Sequence, residues 1–345
     1  MKLSDWKYTY KKNIIEIVPN FPIQIPDYFY KYYSITDYNI DAIINSKLYF
    51  SHPLVFNDLF DASIQMIDLN KISQQELVNL YDRYKEIVWV HEKKDYHSIK
   101  EFVHANLKYD KVDFLRTTLT FYWNVIFIKT GVLSLASIDN NILLWSYYTN
   151  HTGVAVEFQS LPIDNTEVFG PFPVNYSDKY ETLNPKTAEL DNEHLLYLTN
   201  VKSTDWRHEN EWRLLLRRNN LSIPNYKSEK LIDENRLISY PKNIVNSIIL
   251  GFKFFKGFIP YEVNKRTFKY TVGELDSKEY LDLKIKLLNY LVDNKIIIKQ
   301  IQTNEDSTFC IEAANVKIEI IERDKIYVVT RSRENKRANL RLTNV

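Results

Sequence analysis

The sequence contains very little glycine. Only 6 of its 345 residues are glycine, well below the roughly 7% of average usage. These glycines never cluster, so the chain has neither a GxGxxG dinucleotide-binding turn nor a GxxxxGK phosphate-binding loop. We therefore expect that any nucleotide bound by this protein is held without a glycine-rich loop.

Cysteine is even rarer. Cys310 is the single cysteine, which excludes an internal disulfide and any cysteine-based zinc site. The seven histidines show no HxH or HExxH spacing, so the sequence does not predict a zinc enzyme or another metal site of that kind. A lone cysteine is typical of a reducing compartment, and we expect a cytoplasmic protein.

Long apolar runs and an excess of charge are also missing. The strongest apolar run, FYWNVIFI at 121–128, is far shorter than the ~20 residues that span a bilayer, so no membrane association is expected. The N-terminal residues lack the apolar stretch of a signal peptide. Because 45 basic and 44 acidic side chains nearly cancel, the composition argues against nucleic-acid binding by bulk electrostatics.

The pattern of apolar residues predicts an α+β fold with a split mixed or antiparallel sheet. Strands and helices alternate without the regular glycine turns of a doubly wound sheet. We expect strands at 47–50, 130–137, 153–159, 172–176, 212–217, 247–251 and 266–272, and helices at 37–45, 141–150 and roughly 190–205.

Two further parts are predicted from changes in pattern along the chain. Residues from about 73 to 127 have almost no turn chemistry and predict a helical insertion in a core that spans 1–273. Residues 276–294 predict an amphipathic helix, and 308–332 look like a three-strand meander. We therefore expect an accessory C-terminal α/β unit over 274–345.

The segment WRHENEWRLLLRR, residues 206–218, contains two glutamates one residue apart. On a strand, Glu209, Glu211 and Arg213 share one face, and the two carboxylates lie ~7 Å apart at the backbone. Such a pair suits a reaction through an oxocarbenium-like sugar centre, in which one carboxylate stabilises positive charge and the other handles a proton. On a helix, Glu209 and Arg213 are an ordinary i, i+4 pair without a function. The three leucines before a turn-like stretch slightly favour the strand.

Five sequence blocks together resemble a bacterial family, domain of unknown function 2971. In order these are YKYYSI with AIINSKLYFSHPLVFNDLFD, GVLSLASIDNNILLWSYYTNHTGVAVEF, PVNYSD, KSTDWRHENEWRLL and SIILGFKF. The resemblance covers about residues 28–255 and does not reach the C-terminal unit. Family members usually carry arginine after the YKY, where this chain has Tyr33.

The layout of that family is similar to ADP-ribosyltransferases, which bind NAD between two small sheets. The resemblance implies NAD as a substrate, with Glu211 stabilising the oxocarbenium ion and Glu209 orienting the acceptor. It also implies NAD-binding residues: Lys31 and Tyr32 on a first strand, Ser134 and Ser137 on a second, Arg213 for a phosphate, and Trp145 and Tyr148 for ring stacking. For the two residues on the predicted helix, the alternative interpretation is core packing, which is the more common reason for this spacing.

The function expected from this resemblance is that of an NAD-consuming ADP-ribosyltransferase-like enzyme. Domains of this kind often accompany toxins and antiphage systems, and the acceptor, protein or nucleic acid, stays open. One alternative is a metal-dependent nuclease in which Asp58 and Asp61 join Glu209 or Glu211 around a divalent cation. Against it, Asp58 and Asp61 also suit a helix cap and first turn. A third interpretation is a catalytically inert binding or scaffold protein.

The C-terminal tail RSRENKRANLRL is strongly basic. Five cations lie between Arg331 and Arg341 against a single glutamate. Two interpretations remain open, a solvated terminal segment or a surface for a nucleic acid or an acidic partner.

Overall fold

The computed structural model describes most of the chain outside one long internal stretch. It covers residues 2–3, 6–11, 14–66, 68, 73, 130–159, 166–183, 192–218, 221, 233–273, 278–303 and 310–331. Except for Ser73, the predicted helical insertion over 73–127 lies outside the described residues, and so does the basic tail beyond Arg331.

The chain forms two units that interleave along the sequence. Unit 1 comprises Met1–Ile25, Tyr49–Ser134 and Ile163–Ile238, and unit 2 comprises Pro26–Leu48, Leu135–Pro162 and Ser239–Val345. This division differs from the boundary predicted at 273/274, because the C-terminal residues share a unit with three earlier stretches of the chain.

Strands dominate the described residues. They are β1 (Lys2–Leu3), β2 (Trp6–Lys11), β3 (Ile14–Pro19), β4 (Tyr28–Tyr33), β5 (Lys47–Tyr49), β6 (Thr130–Ala136), β7 (Val154–Gln159), β8 (Val168–Pro173), β9 (Asn175–Tyr176), β10 (Val201–Lys202), β11 (Glu211–Arg217), β12 (Leu237–Ser239), β13 (Val245–Leu250), β14 (Phe258–Asn264), β15 (Thr267–Val272), β16 (Ile298–Thr303), β17 (Ile311–Glu322) and β18 (Ile326–Arg331). The helices are α1 (Asp37–Ile44), α2 (Ile142–Thr149), α3 (Asn192–Leu198) and α4 (Lys278–Asp293). The α+β class predicted from the sequence is confirmed.

Unit 1 begins with an antiparallel meander that was not predicted. Strands β1, β2 and β3 pair in that order, and α3 packs against β2 and β3. The rings of Tyr8 and Tyr197 meet edge to face at 5.4 Å, and both side chains are fully buried. Because such aromatic pairs prefer this arrangement, the contact fixes α3 on the meander.

The second sheet of unit 1 carries the candidate site. Its order is β6-β11-β8, and β11 runs antiparallel to β8 with Trp212 opposite Pro173. The register shifts between Arg213 and Leu215, as expected of a β-bulge, which re-aims nearby side chains. Six of the seven residues of β11 are buried, so both faces of this strand are covered.

The sheet of unit 2 has the order β14-β15-β18-β17-β16-β13-β7-β4. Its neighbours pair antiparallel except β13 and β16. A parallel pair needs a crossover connection, which here contains β14, β15 and α4. The predicted three-strand meander over 308–332 is wrong in its bounds. That stretch holds only β17 and β18, and the third strand is β16 at 298–303.

Local sequence signals explain where the two helices next to β4 begin. The hydroxyl of Thr36 accepts from the Asn39 N–H at the start of α1, and the Asn141 side chain accepts from Leu143 and Leu144 at the start of α2. These are typical N-caps. Both helices match their predicted ranges to within two residues.

Strand β7 starts directly after a glycine that the packing requires. A Cβ added to Gly153 would lie 2.1 Å from the Tyr33 carbonyl oxygen and 2.9 Å from the Thr149 Cβ. Only glycine allows β4 to approach this closely. None of the helices in the described residues is long and apolar enough to cross a membrane.

Candidate functional site

The two glutamates of the ENE motif lie on different elements. Thr204–Glu209 forms a 3-10 helix, and Asn210 follows in the left-handed conformation with φ 46°. Strand β11 begins only at Glu211. The prediction that 209–213 is one extended segment is therefore wrong. The left-handed Asn210 interrupts the extended backbone, so Glu209 and Glu211 do not share a strand face.

Lys202 hydrogen-bonds to both glutamates. Its Nζ donates to Glu209 Oε2 at 2.5 Å and to Glu211 Oε2 at 3.1 Å. Lys202 lies on β10, which pairs in parallel with β9. The carboxylates thus share one ammonium group instead of one strand face.

Arg213 holds the other side of Glu211. Its Nε donates to Glu211 Oε1 at 2.8 Å, and its Nη2 donates to Glu211 Oε2 at 3.2 Å. The guanidinium also binds both carboxylate oxygens of Asp61, and Nη1 donates to the Thr199 carbonyl oxygen at 2.7 Å. All five N–H donors of an arginine are used in these contacts.

These side chains form a buried group, which we call the charge cluster and which consists of Asp61, Lys202, Glu209, Glu211 and Arg213. Their exposed fractions lie between 1% and 7%. Three carboxylates against two cations give a formal sum of −1 when all five are ionised. Buried charges are costly unless they are paired and hydrogen-bonded, so the excess negative charge is the unusual feature of this cluster.

Neighbouring charges decide the protonation of Glu211. Burial acts to raise its pKa, but the charges of Arg213 and Lys202 and the hydrogen bonds from Arg213 and Ser134 outweigh burial and hold the pKa well below its ordinary value. For Asp61 burial dominates, and its pKa is raised although Arg213 opposes the shift. Glu211 therefore carries a stable negative charge inside unit 1.

Polar and aromatic groups complete the surroundings of the cluster. The Tyr176 hydroxyl accepts from the Glu211 backbone N–H at 2.8 Å. The Trp206 ring lies 4.7 Å from Lys202 Nζ, and the Phe56 ring lies 5.3 Å from Arg213 Cζ. Such cation–π contacts stabilise a buried cation without neutralising its charge.

The predicted catalytic and NAD-binding residues fall into two sets. Unit 1 brings together Ser134, Glu209, Glu211 and Arg213. Unit 2 contains the others: Lys31 and Tyr32 on β4, Ser137 just after β6, and Trp145 and Tyr148 on α2.

Within unit 2 the predicted ring-binding residues are only partly accessible. The rings of Tyr32 and Trp145 meet edge to face at 5.0 Å, and Trp145 is completely buried with its Nε1 donating to the Asp139 carbonyl oxygen. Tyr148 is 37% exposed. Of these three, Tyr148 has the most exposed side chain.

Sequence reasoning missed Lys202 and the structural role of Asp61. Lys202 and Glu209 lie on different elements and meet only through the fold. Asp61 gives both of its oxygens to Arg213, so it is not placed as a ligand for a divalent cation. Within the described part of the chain, no group of three or more histidine, cysteine, aspartate or glutamate side chains is arranged to hold a metal ion.

Unit 2 contains a second buried carboxylate that was not predicted. Glu157 accepts from the Tyr30 hydroxyl at 3.1 Å, from Asn246 Nδ2 at 2.6 Å, from the Ser247 hydroxyl and from Lys299 Nζ at 2.8 Å. These partners come from β4 and β13, which flank β7, and from β16 on the far side of β13. The many donors satisfy Glu157 fully, which is typical of a structural carboxylate.

Comparison with known proteins supports the family resemblance over part of the chain. Residues 144–214, from α2 to the middle of β11, match the family described as "Protein of unknown function (DUF2971)". The matched region includes Lys202, Glu209, Glu211 and Arg213 of the charge cluster. No curated protein and no solved structure matches the chain.

Proposed function

We propose that the protein is an NAD-consuming, ADP-ribosyltransferase-like enzyme in which Glu211 is the catalytic carboxylate. The observation that carries this proposal is the state of Glu211. It is buried and ionised, and it is held by the hydroxyl of Ser134 and the guanidinium of Arg213. A fixed negative charge in a buried site stabilises a developing cation strongly, because the surrounding dielectric is low.

The reaction that fits this carboxylate is cleavage of the bond between nicotinamide and ribose. The bond from C1′ to the ring nitrogen breaks, and its electron pair leaves with nicotinamide, which becomes neutral. The positive charge passes to the ribosyl centre, where Glu211 stabilises it. An acceptor nucleophile then forms a bond to C1′ and releases a proton, for which Glu209 is the proposed neighbour.

The charge of the cluster supports a cationic substrate. With Asp61, Glu209 and Glu211 against Lys202 and Arg213, the formal sum is −1. The ribosyl cation that forms as nicotinamide leaves carries +1 beside Glu211 and so neutralises the cluster. A neutral or anionic centre at the same place would not gain this stabilisation.

Arg213 takes a different role in this proposal from the one expected from the sequence. Its donors are used by Asp61, Glu211 and Thr199, so it has none left for a phosphate group. Arg213 is instead a positioning residue that fixes the orientation of Glu211 at the start of β11.

A catalytically inert scaffold is the second candidate. It is favoured by one specific observation, which is that Arg213 and Glu211 already satisfy each other inside the cluster. Buried ion networks of this kind also occur in proteins with no reaction to perform. Absence of any NAD turnover would favour this candidate.

The proposal is tested by following nicotinamide release from NAD by the purified chain. Water, basic proteins and nucleic acids serve in turn as acceptors, since a toxin or antiphage effector would modify a protein or a nucleic acid. We expect release by the wild type and its loss in Glu211→Gln. Glu167→Gln removes a surface partner of Arg218 and serves as the control that keeps the activity. No release with any acceptor contradicts the proposal.

A further inference from the structure

Unit 2 contains a cavity of about 280 Å³ that the proposed reaction does not use. Its walls come from the C-terminal ends of α1 and α4 and from β13. Among the residues that line it are Ile43, Ser46, Tyr240, Lys242, Tyr290 and Lys295. We call it the Lys242 cavity.

The charged groups of this cavity are all of one sign. Lys242 and Lys295 line it, and no acidic side chain does. Within the described residues, neither ammonium has a carboxylate partner within 4.0 Å. Lys242 Nζ lies instead 5.6 Å from the centre of the Tyr290 ring. Two ammonium groups beside an aromatic wall are the chemistry that recognises an anion.

The ends of the two helices do not cancel this positive charge. Helix C-termini carry partial negative charge through their unpaired carbonyl groups. Here those carbonyls already accept hydrogen bonds, from Asn45 and Ser46 at the end of α1 and from Lys295 and Ile296 at the end of α4. Lys242 and Lys295 therefore carry the full charges among the side chains of the residues that line the cavity.

The backbone at the cavity is held in an uncommon conformation. Ser46 and Lys295 both have φ 54°, the left-handed region in which glycine is the favoured residue. Each lies two residues after the end of its helix, and each lines the cavity. Glycine at these two positions would remove both side chains from the wall.

The remaining wall is apolar and continues into an adjoining cavity. Ile43, Ile248 and Ile296 contribute side chains to the Lys242 cavity. A second cavity of about 420 Å³ shares Lys295, Ile296 and Ile297 with it. A cavity of about 150 Å³ is large enough to hold benzene, so the space here accommodates a ring together with its charged group.

From this geometry we propose that the Lys242 cavity binds a small organic anion, a carboxylate or phosphate monoester with an aromatic or apolar body. The anionic group pairs with Lys242 and Lys295, and the body packs against Tyr290 and the isoleucines. This site is independent of Glu211 and of the NAD reaction.

Benzoate and phenyl phosphate are the probes for this proposal, with benzyl alcohol as the uncharged analogue and inorganic phosphate as the anion without a body. Binding is measured by calorimetric titration at low and high salt. We expect saturable binding of at least one organic anion, weakened by salt because the lysines are exposed. Benzyl alcohol and inorganic phosphate should each bind at least about tenfold more weakly than the organic anions. Benzyl alcohol lacks the charged group, and inorganic phosphate lacks the apolar body. The tighter of the two anions identifies the preferred charged group.

Three variants separate the cavity from general surface charge. The double variant Lys242→Gln/Lys295→Gln loses about tenfold or more in affinity, whereas Lys265→Gln, in the turn between β14 and β15, leaves it unchanged. Ile297→Trp, at a side chain that is 55% exposed, fills the cavity from outside and also abolishes binding. The proposal is overturned if neither anion binds to the wild type, or if the double variant binds as tightly as Lys265→Gln.

Discussion

Arg213 binds Asp61 through two parallel hydrogen bonds, although 152 residues separate them in the chain. Both side chains are buried in unit 1. The pair ties the loop that follows β5 to the strand that carries Glu211, so the orientation of Glu211 depends on a residue outside its own segment.

Substitution of Asp61 tests how much this pair stabilises the fold. In Asp61→Asn the guanidinium of Arg213 loses a carboxylate partner. Its charge stays buried with fewer opposite charges to offset the cost of burial. We expect the free energy of unfolding to fall by about 3–5 kcal/mol, as for other broken buried pairs. The matched surface variant Glu167→Gln, which breaks a partly exposed pair with Arg218, should cost less than about 1 kcal/mol. Equal losses of stability for the two variants in denaturant titrations would show that the buried Asp61 pair stabilises the fold no more than the surface pair does.

The excess negative charge of the cluster is tested by a double-mutant cycle on Lys202 and Glu209. Lys202→Met raises the formal excess from −1 to −2, and adding Glu209→Gln restores it to −1. We expect the double variant to be more stable than the sum of the single effects by about 1–3 kcal/mol. Lys202→Met combined with Glu167→Gln should be additive within about 0.5 kcal/mol. A coupling free energy of zero would mean that the interaction between Glu209 and Lys202 contributes nothing to stability.

Much of the fold followed from the sequence because local patterns determine it. The helices predicted at 37–45 and 141–150 are α1 and α2, and the Thr36 and Asn141 caps show where each begins. The N-terminal meander could also have been predicted, since Trp6, Tyr8 and Tyr10 alternate with polar residues. Alternation with this period is the ordinary signal of a strand.

The candidate site was only partly predictable, for a physical reason. The ENE motif identified Glu211 and Arg213, but strand alternation placed Glu209 on the wrong element because Asn210 adopts a left-handed conformation. Lys202 and Asp61 join the cluster through tertiary contacts that no local pattern encodes. Interleaving of the two units likewise depends on pairings such as β13 with β7, which bring together distant parts of the chain.

The pH dependence of stability tests the environment of Glu157. Burial acts to raise its pKa, but hydrogen bonds from Lys299, Ser247 and Asn246 outweigh burial and lower the pKa below its ordinary 4.5. A lowered pKa stabilises the fold above pH 4.5, and this contribution is lost as pH falls through the folded-state pKa. The stability gap between wild type and Glu157→Gln should therefore narrow in acid unfolding experiments below pH 4.5. A stability gap that widens in acid would contradict a lowered pKa for Glu157.

Two glycines offer a matched test of close packing. In Gly153→Ala the new Cβ would lie 2.1 Å from the Tyr33 carbonyl oxygen, which cannot move without parting β4 from β7. We expect a loss of about 3 kcal/mol or more, the upper range for overpacking. In Gly273→Ala the nearest atom is the Ile259 side chain at 3.3 Å, and thermal unfolding should change little. Comparable thermal unfolding midpoints for the two variants would contradict the claim that the packing of β4 against β7 requires glycine at position 153.

The role of Glu211 is tested most directly by steady-state kinetics of nicotinamide release. Because Glu211 is proposed to act on the charge that develops in the transition state, Glu211→Gln should lower kcat by about 10²–10³ and leave KM nearly unchanged. The circular dichroism spectrum shows whether the variant remains folded. A folded Glu211→Gln that releases nicotinamide at the wild-type rate would contradict the assignment of Glu211 as the catalytic carboxylate.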